Sequence, residues 1–139
     1  MVTYVLDASA IIRLLDREPG FSHVRRIISA SNAGSARMVI SAVNWGEVIY
    51  YIRKRRDEAA TQRLAQRLID FGLTVISATS VRAERAAYLR LRYKISYADA
   101  YGVELTQDSP DHILVTADYG VKSAEHDIQI EFLPTKPTP

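Results

Sequence analysis

The chain reads as an α/β protein built on a parallel sheet, and three observations carry that reading. Short apolar runs at 2–6, 37–41, 73–76 and 113–116 are rich in Val, Ile and Leu, as buried strands are. They alternate with longer segments whose apolar residues recur at helical spacing, the pattern of a sheet sandwiched between helices. Two of the runs end at or just before an acid, Asp7 and Asp118. That places carboxylates at the C-terminal edge of the sheet, where open parallel sheets bind ligands.

The elements follow in order. Strand 2–6 stops at Asp7, and residues 7–15 suit a helix with Ile11, Ile12, Leu14 and Leu15 apolar. Asp7 also suits the role of cap for that helix. Pro19-Gly20 breaks the pattern, and 21–30 resumes it with Phe21, Val24, Ile27 and Ile28 on one side, before a loop at 32–35. The second strand, 37–41, ends at Ser41, a natural cap for a helix over 42–55. Trp45, Val48, Ile49 and Ile52 make the buried stripe of that helix, with Glu47 almost opposite and Asn44 one turn earlier. Val43, Tyr50 and Tyr51 flank Glu47, unusual company for a plainly solvated acid.

Residues 57–71 read as a helix closed by Gly72, and 73–76 as the third strand. Ser80 suits the cap of a helix to Tyr93, with Ala83, Ala87 and Leu91 as its expected inner face. Ser96, with Asp99 three residues on, resembles a capping box opening another helix. Its stripe of Ala98, Tyr101, Gly102 and Leu105 includes small residues that would let it lie close to the sheet. After a loop at 107–111 come the fourth strand, a short helix at 119–125 and a last strand, 128–133, alternating enough to be an edge. Residues 134–139, Pro-rich, are expected to fray.

Composition limits the function classes. A chain of 139 residues suggests one domain with a real core. It contains no cysteine, which excludes disulfides and thiolate metal sites. No apolar run approaches the length of a membrane span, and the start lacks the basic and apolar regions of a secretory signal; the cytoplasm is the expected compartment. The three histidines (His23, His112, His126) show no ligand spacing, and no phosphate-cradling glycine loop is present. The densest basic run, residues 53–56, reads either as a solvated helix end, where cations suit the dipole, or as a phosphate-binding patch.

Four acids stand at strand ends or helix starts: Asp7, Glu47, Asp99 and Asp118. If the strand order reverses beside the first strand, Asp7 and Asp118 flank one crevice, and helices starting at that edge can add the other two. Four carboxylates cannot share a crevice unpaired without raising one another's pKa. Hard cations with oxygen ligands, Mg²⁺ or Mn²⁺, resolve the repulsion. Such ions activate water and stabilise charge on a phosphoryl group. Setting these four acids aside leaves 12 acids against 18 cations, a basic remainder that suits nucleic acid. Ser9, Asn44 and Thr116 lie close enough in sequence to support the acids.

Four segments then resemble the PIN-domain ribonucleases, most closely the VapC-type toxins of toxin–antitoxin pairs. They are Val5-Leu6-Asp7-Ala8-Ser9, Asn44-Trp45-Gly46-Glu47-Val48, Ser96-Tyr97-Ala98-Asp99-Ala100 and Leu114-Val115-Thr116-Ala117-Asp118, in the family's order and spacing. The resemblance covers 1–133 as a single domain and implies a three-layer α/β/α sandwich whose five-stranded parallel sheet runs in the order 3-2-1-4-5. It implies a Mg²⁺-dependent endoribonuclease, with Mn²⁺ as a possible substitute, whose metal-binding and catalytic acids fall on Asp7, Glu47, Asp99 and Asp118. Ser9 and Thr116 fall on supporting positions. It also implies a homodimer silenced by a cognate antitoxin, with RNA as substrate and no membrane association. Tyr97 and Tyr101 depart from the family pattern in bulk, which alters the expected shape of the groove.

Two other readings use the same residues. A PIN-like domain that only binds RNA or a partner would keep the fold without the chemistry. A haloacid-dehalogenase-type phosphatase also begins with a strand-end acid, but it needs a second Asp two residues later, where this chain has Ser9.

Overall fold

The apolar runs pair into one sheet because each has a face for two different layers of helix. In the computed structural model, which describes residues 1–137, the strands are Val2–Leu6 (β1), Ala36–Ser41 (β2), Leu73–Ile76 (β3), His112–Thr116 (β4) and Gln129–Phe132 (β5). All four pairings are parallel, in the order β3-β2-β1-β4-β5. This is the order that the resemblance implies. Alternate residues of the central strands serve opposite layers: Leu6, Ile40 and Val115 pack into one core, Val5 and Leu114 into the other.

The helices are Ala8–Leu15 (α1), Phe21–Asn32 (α2), Ala42–Arg53 (α3), Glu58–Asp70 (α4), Ser80–Tyr93 (α5) and Tyr97–Thr106 (α6), with a short 3₁₀ helix at Tyr119–Ala124. Ile11, Val24, Ile27, Val48, Ile52 and Leu68 of α1 to α4 line the first core. Ala86, Leu89 and Tyr93 of α5, Val103 and Leu105 of α6, and Val121 of the 3₁₀ helix line the second. No helix among the described residues is long and apolar enough to cross a membrane. Residues 134–137 are exposed and belong to no helix or strand, while Thr138 and Pro139 of the expected frayed tail lie outside the described residues.

The strand order reverses between β1 and β4. Strands β2 and β3 are added on one side of β1, and β4 and β5 on the other. The chain therefore leaves the C-terminal ends of β1 and β4 in diverging directions, and a crevice opens above them. Leu6 pairs with Val115, so Asp7 and Thr116 stand side by side at the rim.

Two local expectations are corrected. Thr79, not Ser80, caps α5 by accepting the Arg82 N–H. The inner face of α5 begins at Ala83 as expected but continues through Ala86, Leu89 and Tyr93 rather than Ala87 and Leu91, and Leu91 is 80% exposed. This face also brings Arg82 to Glu104, a fully buried acid of α6. Arg82 Nη1 donates to both Glu104 carboxylate oxygens at 2.9 and 3.1 Å, and the same guanidinium also holds Asp108. A buried carboxylate without such a partner would cost several kcal/mol, on the order of the penalty for breaking a buried ion pair.

Candidate active site

Asp7 is both the cap and the crevice acid that its position suggests. Its backbone is extended, so the strand can end and the helix begin at one residue. Oδ1 accepts the Ala10 N–H at 3.0 Å, which caps α1, and the Ser9 hydroxyl at 2.6 Å. Oδ2 accepts the hydroxyl of Thr116. The carboxyl is buried, and burial raises its pKa above the ordinary aspartate range; these hydrogen bonds pull it back, and the charge of Asp118 pushes it up further.

The two hydroxyls that hold Asp7 also build the neighbouring loop. Ser9 Oγ accepts the Ala117 N–H at 2.8 Å, and Thr116 Oγ1 accepts the Asp118 N–H at 2.9 Å. Each hydroxyl thus gives its one proton to Asp7 and takes a backbone proton from the end of β4. This locks the β1 and β4 ends together and fixes where Asp118 leaves the sheet. Asp118 Oδ1 then accepts the Gly120 N–H at 2.8 Å, capping the 3₁₀ helix.

Asp99 enters from α6. Ser96 caps that helix by accepting the Asp99 N–H at 3.1 Å, as the Ser96–Asp99 spacing predicts. The Asp99 carboxyl is half-buried and close enough to Asp118 to share a hydrogen bond. Burial first, then that hydrogen bond and the charges of Asp118 and Asp7, push its pKa up to about 7. Asp7, Asp99 and Asp118 are therefore electrostatic neighbours at the edge where the strand order reverses.

Glu47 joins them indirectly. Its side chain is exposed on α3, and Asn44, one turn earlier, donates Nδ2 to Glu47 Oε1 at 3.0 Å. The same Nδ2 donates to the Ala98 carbonyl at 3.0 Å, in the first turn of the helix that carries Asp99. One buried amide thus ties the Glu47 and Asp99 elements together. Its Oδ1 is buried with no hydrogen-bond partner. Turning the amide over would set that oxygen against two acceptors, so the orientation is fixed. Gly102 packs close beneath this group: a Cβ there would meet Leu114 Cδ1 at 3.3 Å, a tight contact, and Asn44 Oδ1 at 3.7 Å and Asp7 Cβ at 4.0 Å, ordinary ones.

Among the described residues, no three His, Asp or Glu side chains are drawn together tightly enough to grip an ion in this arrangement. Every donor in the crevice is oxygen or amide, the chemistry of a hard cation. The histidines stand apart from it. His23 pairs with Glu131 at 2.7 Å and His112 contacts the Leu105 carbonyl at 3.1 Å, both structural contacts. Sequence reasoning missed the Arg82–Glu104–Asp108 group, although an acid inside the near-continuously buried run of α6 was a signal that a cation must meet it.

The basic run at 53–56 is largely occupied. Arg53 forks onto Glu58 with two 2.9 Å hydrogen bonds, Arg55 lies 3.7 Å from the centre of the Tyr51 ring, and Lys54 lies 5.3 Å from that of Tyr50. The run also ends α3, six residues or about 9 Å of helix beyond Glu47. Of the tyrosines near Glu47 and on α5, Tyr93 is buried and Tyr51 is tied to Asp16. Tyr50 and Tyr88 remain 64% and 60% exposed.

Residues 4–126 match the family model described as PIN domain. The fold is similar to that in the crystal structure of DNA-bound VapBC from Salmonella typhimurium, with a TM-score of 0.72 and 19% identity over 95% of this chain and 98% of that one. VapBC2 from Rickettsia felis, bound to a DNA fragment from its promoter, gives 0.72 and 16% over 96% and 100%. A toxin–antitoxin complex from Klebsiella pneumoniae gives 0.64 and 22% over 97% and 99%. At these identities the likeness is one of fold. No curated protein matches the chain.

Proposed function

Because the chain belongs to the PIN-domain family, we propose that it is a Mg²⁺-dependent endoribonuclease and the toxin of a toxin–antitoxin pair. Asp7, Glu47, Asp99 and Asp118 are its metal-binding and catalytic acids, and residues 1–133 are the single working domain. One observation carries the reading: Asp7, Asp99 and Asp118 are charge neighbours at the edge where the sheet order reverses, with the Asp99 carboxyl held up to about 7 by burial first and then by its acidic neighbours. The residues fit a hard divalent cation. Acids from three elements are charge neighbours at this edge, and the Asn44 amide oxygen is buried near Asp7 without a hydrogen-bond partner among the protein atoms. Mg²⁺ suits that set and Mn²⁺ would substitute.

A cation bound there supplies an acidified water and neutralises charge on the phosphoryl group under attack. The chain's own residues do the rest. Asp7, immobilised by Ser9, Thr116 and the Ala10 N–H, is a fixed point of negative charge whose hydrogen-bonded oxygens cannot rotate away. Asp99, beside Asp118 and partly buried, resists ionisation up to about 7 without a cation, and a bound cation would favour its charged form and use it as a ligand. Asn44 sets the spacing of Glu47 from α6. The partners follow from the same reading: RNA as substrate, a cognate antitoxin as inhibitor, and a second copy of the chain meeting it through the exposed Tyr50 and Tyr88. An antitoxin Arg forked onto the crevice acids would displace the metal.

The test is cleavage of a labelled RNA with Mg²⁺ or Mn²⁺, repeated in chelator and with Asp7→Asn. The parent should cut only with metal, and Asp7→Asn should fall to background with the fold intact. If Asp7→Asn cuts like the parent, the role given to Asp7 is wrong. A parent that binds RNA but leaves it whole in both metals would be the binding-only domain.

A further inference from the structure

We propose that Tyr97 and Tyr119 are base-stacking residues of this site, each holding an unpaired base next to the phosphate presented to the acids. The proposal rests on the nuclease reading and names the part of the substrate that it grips. Tyr97 precedes Asp99 by two residues, and Tyr119 directly follows Asp118. The two residues are 37% and 45% exposed, and each is the first residue of a helix that starts at the acids' edge of the sheet.

Both rings are pinned at two points. The Tyr97 hydroxyl donates to the Ala83 carbonyl of α5 at 3.1 Å and lies 3.2 Å from the Tyr101 hydroxyl. Its ring meets the buried Tyr101 ring edge-on, with centroids 5.1 Å apart. The Tyr119 hydroxyl donates to the Leu133 carbonyl just past β5 at 2.9 Å. Its ring stacks on Phe132 with centroids 4.8 Å apart and planes 22° apart. The other exposed tyrosines differ: Tyr50 lies under Lys54 at the end of its own helix, and the Tyr88 hydroxyl accepts from Arg92 of its own helix. A ring held by its hydroxyl and by a second ring has already lost its rotamer freedom, so binding a base on its remaining surface costs little further entropy. Two such rings, moored on different elements and each within two residues of a crevice acid, match how proteins grip single strands, where aromatic faces take successive bases. Paired bases offer no free face to them, so the substrate segment is unpaired.

An abasic scan tests this. A labelled oligoribonucleotide of about 12 nucleotides, with one base removed at each position in turn, is titrated with the full chain in chelator and binding is read by anisotropy. The parent should lose roughly fivefold to a hundredfold in affinity at one or two positions. Tyr119→Leu, which keeps an apolar contact on Phe132, should weaken binding of the intact strand by a similar factor and lose its sensitivity to one of those positions. Tyr97→Leu should do the same at another, and a thermal melt verifies that both variants are folded. A flat scan with the parent overturns the proposal, as do folded variants that keep the parent's full sensitivity. Metal-dependent cleavage of the intact strand alongside a flat scan leaves the nuclease reading standing. A parent that neither binds nor cleaves the intact strand brings down both.

Discussion

Replacing Asp99 by Asn should stabilise the metal-free protein at neutral pH, and the gain should disappear in acid. The Asp99 carboxyl titrates near 7 in the fold against an ordinary value of 3.8. A carboxyl with a raised folded pKa binds more protons folded than unfolded in that window, so stability falls as pH rises from about 4 to about 7. Below the window both states are protonated and Asp99 contributes nothing. Above it the full penalty is present. At about 1.4 kcal/mol per pH unit, the displacement caps the penalty at ~4 kcal/mol. Asp99 is half-exposed, and solvent screening brings the expected value down to ~1–2 kcal/mol. For a chain of this size that is a rise in Tm of about 3–8 °C. Melts of the parent and Asp99→Asn in chelator, at pH 4, 6 and 8, read it directly. The gain should be near zero at pH 4 and complete at pH 8. Added Mg²⁺ should erase or reverse it, because a cation that binds only the folded parent stabilises the parent. A gain that is equal at pH 4 and 8, or a parent that is the more stable at pH 8 in chelator, would refute the clustered-acid argument.

Other outcomes follow from the same geometry. Thr116→Val removes the hydroxyl that donates to Asp7 and accepts the Asp118 N–H; titration with Mg²⁺ should show metal affinity weakened by about 10–100-fold, together with a loss of ~1–3 kcal/mol in denaturant unfolding. Replacing Arg53, Lys54, Arg55 and Arg56 together by Gln should leave RNA affinity within about twofold across a salt series, since Arg53 is forked onto Glu58 and Lys54 and Arg55 lie over the Tyr50 and Tyr51 rings; a flattened salt slope would return the run to the binding surface. Light scattering at micromolar concentration should find a dimer in the parent, and Tyr50→Ser combined with Tyr88→Ser should shift it toward monomer; a monomeric parent ends the dimer proposal.

The fold and crevice were legible where local pattern and global position agreed. Asp7 ends an apolar run and begins a helical one, and that single change of period locates the sheet's C-terminal edge. Ser41 and Ser96 announced the starts of α3 and α6 by ordinary capping chemistry, so the approach of Glu47 and Asp99 to the same edge followed from the alternation of elements. The inner face of α5 was not legible. Ala83 reaches the core as expected, but beyond it the sequence offers two continuations of similar weight, Ala87-Leu91 and Ala86-Leu89-Tyr93, and local periodicity cannot choose between them. The face observed also brings Arg82 to Glu104, a buried acid 22 residues beyond it. Asn44 was legible as a neighbour of Glu47 but not as the link to α6, because its second acceptor is the Ala98 backbone carbonyl, which any residue at that position would supply.

Asn44 and Asp99 point to the same conclusion by separate routes. Asn44 spends both amide protons on parts of the fold that carry acids and leaves a buried oxygen unmatched, an arrangement that costs on the order of 1–3 kcal/mol. Asp99 is held in a setting that resists its ionisation at neutral pH. Neither cost helps the protein fold. Capping could be achieved at less expense, since Ser96 caps α6 through its own hydroxyl without any acid in the crevice. The two costs lie on neighbouring elements around one opening, joined through the first turn of α6, and a hard cation with its waters would relieve both: it attracts the ionised form of Asp99 and offers a partner to an amide oxygen. Two such costs around one opening favour the proposed reading of a site shaped for a ligand over one shaped for the fold alone.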